Sequence, residues 1–164
     1  MATVIIKLEA DISTDDIYPG RYMATVLPTE TPQYCFNDRA DLNGKLKSGA
    51  FPRGSVIVAG HNFGCGSSRE QAASALKGYE LGIVARSMSR IFLQNAINLG
   101  LNVILCPSIE AEEGDDLDLQ VDRVDNMTTG KTFEVVRLPE ARQAIIDAGG
   151  LIPYTRKRLL ETAR

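Results

Sequence analysis

The segment GHNFGCGSSREQAA combines more groups suited to anion binding than any other part of this sequence. Glycine lets a backbone approach a ligand closely, and the N-terminus of a helix offers unpaired N–H groups with partial positive charge. An arginine guanidinium adds a planar fork that matches a carboxylate. All of these stand just before a helix-like pattern: Gly64, Gly66, Ser67, Ser68 and Arg69. The spacing predicts a binding site for a small carboxylate or phosphate.

The two serines also have a purely structural explanation. Ser67 stands three residues before Glu70, which is the capping-box spacing, and Ser68 with Gln71 would serve one residue later. Such a cap would explain the serines without any ligand. It explains neither the paired glycines nor Arg69, so the anion-site hypothesis accounts for more of the segment.

Known phosphate and nucleophile motifs do not match this loop. A Walker A loop needs a lysine after its glycines, and a dinucleotide fingerprint needs a third glycine where this chain has Arg69. The nucleophile elbow G-x-S-x-G is also absent from the sequence. One chemical alternative stays open, in which Cys65 acts as a nucleophile with His61, the only histidine of the chain.

The composition limits the partners that the chain is expected to have. Its 164 residues suit one compact domain spanning residues 1–164, and a net charge of −3 argues against binding to nucleic acid. Three cysteines without a C-x-x-C pair, together with one histidine, predict no metal site on this chain. No apolar stretch reaches the ~18–20 residues of a transmembrane helix, so we expect a cytoplasmic protein without membrane contact.

The elements that must position the loop follow from the apolar patterning. The continuous apolar run of SVIVAG predicts a buried strand just before the glycines, and TVIIKLE predicts another near the start. LGIVARS and LNVILC have the same strand character, whereas SREQAASALK and MSRIFLQNAINLG have helical spacing. Strands that alternate with helices predict an α/β fold with a parallel core and crossover helices.

Two other regions break this alternation. Towards the C-terminus, DLDLQVD and TFEVVRL predict an antiparallel strand pair joined by NMTTGK, which makes the sheet mixed. PEARQAIIDAGG then predicts a short helix, and the last ten residues predict a basic, exposed one. Residues 20–53 show no clean period and carry several prolines and glycines, so we expect a mobile loop there.

Three segments together resemble a known family. NFGCGSSRE is similar to the motif of the small subunit of 3-isopropylmalate dehydratase and of the swivel domain of aconitases. DISTDDIYPGRYM resembles the N-terminal motif of that family, and RSMSRIFLQNAINLG resembles its third segment. The three follow the family's order and cover roughly Ile5 to Cys106. The resemblance implies the swivelling β/β/α fold of the fourth domain of aconitase.

The resemblance also implies a reaction and a partner. The family dehydrates and rehydrates a small 2-hydroxy dicarboxylate such as 3-isopropylmalate, with a [4Fe–4S] cluster on a separate large subunit. This chain would carry no cofactor and would act only in a heterodimer or heterotetramer with that subunit. Carried over by motif, the implied roles are catalytic for Ser67 (the base) and Asp15, and substrate-binding for Ser68, Arg69 and Thr14.

One segment departs from the family pattern, and there we expect specificity to be set: Arg21, Tyr22, Met23, Ala24 and Thr25. Many relatives carry an arginine shortly after the tyrosine, and this chain has Ala24 in its place. A dehydratase for homoaconitate, methylmalate or dimethylmalate therefore stays an alternative within the family. Outside it, the alternative is a non-catalytic, anion-binding regulatory module that uses the same glycine loop.

Overall fold

The computed structural model describes residues 1–163, which form one curved sheet flanked by helices. The strands within that range are β1 Ala2–Leu8, β2 Val56–Ala59, β3 Gly82–Ala85, β4 Val103–Leu105, β5 Asp116–Leu119, β6 Arg123–Asn126 and β7 Lys131–Glu134. Their spatial order is β4-β3-β2-β1-β5-β6-β7. The predicted α/β class with a mixed sheet is confirmed.

The first four strands form the parallel half of the sheet. β1 pairs with β2, β2 with β3 and β3 with β4, all in parallel. Every residue of β2 and β3 is buried, which explains why these strands are continuous apolar runs in the sequence rather than alternating ones. The predicted parallel core is therefore confirmed.

Helices connect and cover these strands. Within residues 1–163 they are α1 Thr14–Ile17, α2 Ala40–Ser48, α3 Glu70–Gly78, α4 Arg90–Leu99, α5 Glu140–Asp147 and α6 Leu151–Thr162. α3 connects β2 to β3 and α4 connects β3 to β4, as predicted for crossover helices. α6 buries none of its residues, which confirms the predicted exposed helix. No helix in the described range is long and apolar enough to cross a bilayer.

The antiparallel half contains one strand more than the sequence predicted. β5 pairs with β1 and with β6, and β6 pairs with β7, all antiparallel. The NMTTGK turn does lead into β7, but the strand on its other side is β6 rather than DLDLQVD. β6 was missed because Val124 is the only apolar residue among its four.

The sheet curls until its two edges meet. Val136, just after β7, donates its N–H to the carbonyl of Leu105 in β4 at 2.8 Å. The curl separates two apolar clusters of buried residues. One contains helix residues such as Phe92, and the other contains strand and loop residues such as Val58 and Val124.

Residues 20–53 contain more structure than a mobile loop was expected to have. Two 3₁₀ turns precede α2, and Cys35 and Phe36 are fully buried. α2 itself buries two leucines, Leu42 and Leu46. A single apolar pair one helical turn apart sets no visible period, which explains why the sequence did not predict this helix.

Candidate functional site

The loops that follow β1 and β2 run side by side at the carboxyl ends of the parallel strands. Thr14 donates its N–H to the Cys65 carbonyl at 2.8 Å, and Gly64 donates to the Ile12 carbonyl at 2.7 Å. These bonds bring the N-terminal motif against the glycine-rich motif. Ligands commonly bind at this edge of a parallel sheet.

The serine loop is fixed through its backbone and leaves its side chains in solvent. The buried Thr14 hydroxyl donates to the Ser67 carbonyl at 2.8 Å, across 53 positions of sequence. The Arg69 N–H donates to the same carbonyl at 2.9 Å. Ser67 and Ser68 are both exposed. Two hydrogen bonds therefore fix the backbone of the loop at Ser67, while both serines stay exposed.

Asp15 and Arg69 form an ion pair that joins the two loops. The Arg69 guanidinium donates to the Asp15 carboxylate and, at 3.2 Å, to the Tyr18 carbonyl. The Arg69 side chain is only 16% exposed, whereas that of Asp15 is 66% exposed. The Arg69 guanidinium, together with the Gly20 N–H, holds the pKa of Asp15 below its usual value. The pair therefore orients the arginine and keeps Asp15 ionised at neutral pH.

Gly20 is a support of this ion pair that the sequence did not single out. Its N–H donates to Asp15 Oδ1 at 2.9 Å. A Cβ at this position would lie 3.1 Å from Arg69 Nη2, so glycine leaves room for the guanidinium. The only sequence signal was the Pro–Gly dipeptide, which indicates a turn but not what the turn supports.

Gly64 and Gly66 serve different purposes. Gly64 has φ +75°, and a Cβ there would lie 2.2 Å from Phe92 Cγ, so the close packing against α4 requires glycine. The Gly64 N–H donates a hydrogen bond to the Ile12 carbonyl. Gly66 has φ +91°, and its Cβ position lies 3.7 Å from the Thr14 hydroxyl. Gly64 thus supports packing, and Gly66 permits the turn that leads into the exposed serines.

The third motif holds the glycine loop from the other side. Ser89 caps α4 by accepting the Phe92 N–H at 3.3 Å, and its hydroxyl donates to the Gly64 carbonyl at 2.7 Å. The Phe92 ring meets the Phe63 ring edge-on, with their centroids 5.2 Å apart. All three motifs identified in the sequence therefore converge on one loop.

The structural explanation of the two serines is wrong. Helix α3 begins with Arg69 at its N-cap position and without a side-chain cap, so neither Ser67 nor Ser68 caps it. A capping box forms instead at α1, where Ser13 and Asp16 exchange hydrogen bonds. The exposed serines are left without that structural role.

Arg21 and Tyr22, in the predicted specificity segment, are engaged with residues further along the chain. Both nitrogens of the Arg21 fork donate to the Asp38 carboxylate. The Tyr22 ring stacks on Tyr34 with centroids 4.1 Å apart, and its hydroxyl accepts from Asn37 at 3.0 Å. These contacts fix the start of the segment.

The rest of the segment lies against the start of α3. Gln71 of α3 donates its side-chain amide to the Met23 carbonyl at 3.1 Å. The Thr25 carbonyl accepts from the Tyr18 hydroxyl at 3.3 Å. Ala24 and Met23 are exposed. The segment is thus adjacent to the helix that follows the serine loop.

His61 and Cys65 are not hydrogen-bonded to each other in the described part of the chain. Among residues 1–163, the His61 ring has its hydrogen-bond contact with the Ser87 hydroxyl, at 3.5 Å, and none with Cys65. Burial raises the pKa of Cys106 to about 11 and also raises that of Cys35, so both stay protonated at neutral pH. In the same range, no group of three or more His, Cys, Asp or Glu side chains is placed to hold a metal ion.

Comparisons with known proteins point to one family. Residues 38–107 match the family model of the aconitase C-terminal domain. The 3-isopropylmalate dehydratase small subunit of Methanosarcina acetivorans is 41% identical over 160 residues, covering 94% of this chain and 96% of that protein. The isopropylmalate/citramalate isomerase small subunit of Methanocaldococcus jannaschii is 40% identical over 162 residues, covering 95% and 94%.

A solved structure agrees with the sequence comparisons. The crystal structure of a 3-isopropylmalate dehydratase chain from Methanocaldococcus jannaschii superposes with a TM-score of 0.86 at 36% identity. The match covers 98% of this chain and 96% of that one. The similarity therefore extends over the curled sheet and its helices and is not limited to the glycine loop.

Proposed function

This chain belongs to the family of 3-isopropylmalate dehydratase small subunits, and we propose that it supplies the base and the substrate-binding arginine of a two-chain hydro-lyase. One observation carries the proposal. The Thr14–Ser67 and Asp15–Arg69 contacts join two distant motifs into one surface, on which both serines remain exposed. Neither serine caps α3, so both hydroxyls are available for the proposed chemistry.

Ser67 is the proposed base. A serine hydroxyl is a weak base, so it must act as an alkoxide, and nearby N–H donors and a guanidinium favour that charge. Ser67 stands shortly before the N-terminus of α3, which carries partial positive charge, and two residues before Arg69. From this position Ser67 removes the proton on the carbon next to a substrate carboxylate, and it returns the proton in the rehydration step.

Arg69 and Ser68 bind the substrate carboxylate in this proposal. Both hydrogen bonds of the Arg69 guanidinium within residues 1–163 use Nη1, so the other donors of its fork are available to a substrate carboxylate. Asp15 holds the guanidinium in place. Thr14 is 2% exposed and its hydroxyl is used by the Ser67 carbonyl. We therefore assign Thr14 a positioning role, in place of the substrate contact that the resemblance implied.

The iron–sulfur cluster of this reaction is expected on the large subunit, where it supplies a Lewis acid for the leaving hydroxyl. The donors of this chain do not fit a cluster. Cys35 and Cys106 are buried thiols with raised pKa values, and no three ligands converge within residues 1–163. The proposal therefore requires a partner that carries the cluster.

The preferred substrate is a small alkyl-substituted malate, such as 3-isopropylmalate, rather than a tricarboxylate. Ala24 stands where an arginine would bind a further carboxylate, and Arg21 is already bound to Asp38. Exposed apolar side chains follow, with Val26 65% and Leu27 55% exposed. A relative named isopropylmalate/citramalate isomerase small subunit supports overlapping activity on alkylmalates, since one methylene discriminates by only about 1–3 kcal/mol.

Reconstitution with a large subunit tests this function. The chain alone, purified without oxygen, should bind no iron and show no dehydratase activity. Mixed with the cluster-bearing large subunit of a relative, or of its own source, it should form a stable complex that dehydrates 3-isopropylmalate. A chain that pairs with the large subunit but gives an inactive complex would favour the regulatory-module alternative, and stoichiometric iron on the chain alone would contradict the ligand argument.

A further inference from the structure

A cavity of about 440 Å³ opens at the carboxyl ends of β1, β2 and β3, and the proposed catalytic residues do not line it. Its lining includes two buried apolar residues of one cluster, Val58 of β2 and Ile109 of the loop after β4. Arginine, lysine and glutamate side chains surround this apolar wall. The volume lies in the range of small-ligand pockets, about 300–1,000 Å³.

The four charged side chains that line the cavity balance in number, but one of the two cations is paired with neither carboxylate. Lys7 pairs with Glu112, and Glu110 pairs with Lys131, so each of these carboxylates already has a lysine. Arg86 also lines the cavity, and within residues 1–163 its guanidinium forms no ion pair with any carboxylate. An anion inside the cavity would therefore meet Arg86 without displacing an existing partner.

Arg86 is held in place at the end of β3. Its backbone N–H donates to the Ala59 carbonyl at 3.2 Å, and its Nη2 donates to the Ile109 carbonyl at 3.1 Å. The residue is half-buried, and this single bond uses one of the five donors of the guanidinium. The hydrogen bond from Lys131, helped by the charge of Arg86, holds the pKa of Glu110 below its usual value. A half-buried cation that shares its nearest counter-charge in this way is stabilised further by a bound anion.

We propose that this cavity binds a small aliphatic carboxylate, with the carboxylate on the Arg86 fork and the alkyl chain against Val58 and Ile109. The planar fork matches the two oxygens of a carboxylate. The apolar wall gives an alkyl chain a binding surface that an inorganic anion does not use. The site is separate from the serine loop and does not depend on the proposed reaction.

A nuclear magnetic resonance titration of the full chain tests this site. The probe is 4-methylpentanoate, compared with its neutral isostere 4-methylpentanamide and with inorganic phosphate. We expect saturable binding of the carboxylate at millimolar concentration or below, with amide shifts at Gly60, His61, Arg86 and Ala111. The amide isostere and phosphate should each bind at least tenfold more weakly.

Three variants locate the site. Arg86→Gln should weaken carboxylate binding at least tenfold, since the charge-assisted fork is lost. Ala10→Phe places a large side chain at the exposed rim and should block binding without depending on the fold of the core. Arg90→Gln removes another exposed arginine and should leave the affinity unchanged. No saturation up to about 50 mM, equal binding of the amide or of phosphate, or full affinity in Ala10→Phe would each overturn the proposal, whether or not Arg86→Gln folds.

Discussion

Two segments of this chain carry the same signal for the start of a helix, a serine three residues before an acidic residue, and they do different things. At Ser13 and Asp16 the signal forms a complete capping box, with hydrogen bonds of 3.0 and 2.8 Å between side chain and backbone. At Ser67 and Glu70 no cap forms, and the serine faces solvent.

The difference comes from what holds each backbone. The Ser67 carbonyl accepts from the Thr14 hydroxyl and from the Arg69 N–H, and the positive φ of Gly66 turns the chain just before it. These contacts delay the helix by two residues and direct the serine outwards. A local pattern therefore identifies a cap only where no contact from a distant loop competes for the same backbone.

The largest expected effect is the loss of activity when Ser67, the serine that forms no cap, is replaced. In the reconstituted complex, Ser67→Ala should lower kcat by at least ~100-fold, because general-base catalysis contributes about 10²–10⁴ in rate. Its folding and its pairing with the large subunit should be unchanged, since the side chain caps nothing. Steady-state kinetics and size-exclusion chromatography of the complex measure both. Near-normal turnover would remove Ser67 from the role of base.

The second prediction concerns the ion pair beside the serines. Arg69→Lys should lower kcat/KM by about 10–100-fold, because an ammonium group cannot hold Asp15, the Tyr18 carbonyl and a substrate carboxylate with one fixed fork. Arg123→Lys is the matched control, since Arg123 also pairs with an aspartate but lies on β6. Equal kinetic losses in the two variants would indicate a general effect of replacing a paired arginine.

The Asp15–Arg69 ion pair should also make the stability of the protein depend on pH in the acid range. The pKa of Asp15 is lowered in the folded protein, first by Arg69 and then by the Gly20 N–H. A lowered folded pKa adds stability above the unfolded value of about 3.9, and that stability is lost as the pH falls through the folded value. The stability difference between wild type and Asp15→Asn should therefore shrink as pH falls below about 4. Urea titrations across this pH range measure it, and a constant difference would argue against a charged contribution.

The sequence predicted the parallel half of the fold better than the rest, for a physical reason. Strands buried on both faces, such as β2 and β3, are unbroken apolar runs and stand out at once. β6 and α2 each bury too few apolar residues to set a period, so they were missed. The lack of a period and the prolines and glycines of residues 20–53 suggested a mobile loop, where Cys35 and Phe36 are in fact fully buried.

The candidate site was predicted as a set of residues but not as an arrangement. Motif resemblance selected Asp15, Ser67 and Arg69, yet nothing in the sequence specifies that the Thr14 hydroxyl reaches the Ser67 carbonyl 53 positions away. That contact depends on β1 and β2 being neighbours in the sheet. The need for glycine at position 64 depends on the position of Phe92, which only the packed structure provides.

A smaller effect is expected at the segment that departs from the family pattern. Ala24→Arg adds a guanidinium at an exposed position next to the start of α3. It should raise the ratio of kcat/KM for homoaconitate over 3-isopropylmalate by about tenfold, which is about 1.4 kcal/mol. Ala24→Gln adds a polar side chain without the charge and serves as the control. If the wild-type complex already prefers a tricarboxylate, another group holds the additional carboxylate and the interpretation of this segment is wrong.

The smallest expected effect tests the capping side of the comparison. Ser13→Ala should lower the free energy of unfolding by about 0.5–2 kcal/mol, as loss of an N-cap does. Because the buried Thr14 directly follows the cap, part of this loss comes from loosening the N-terminal loop where it contacts Ser67. Ser67→Ala should change the free energy of unfolding by no more than about 0.5 kcal/mol, as is usual for an exposed side chain without structural contacts. Urea denaturation of the two variants under identical conditions measures both values. A loss at Ser67 equal to that at Ser13 would mean that the exposed serine stabilises the fold after all, and the contrast between the two segments would disappear.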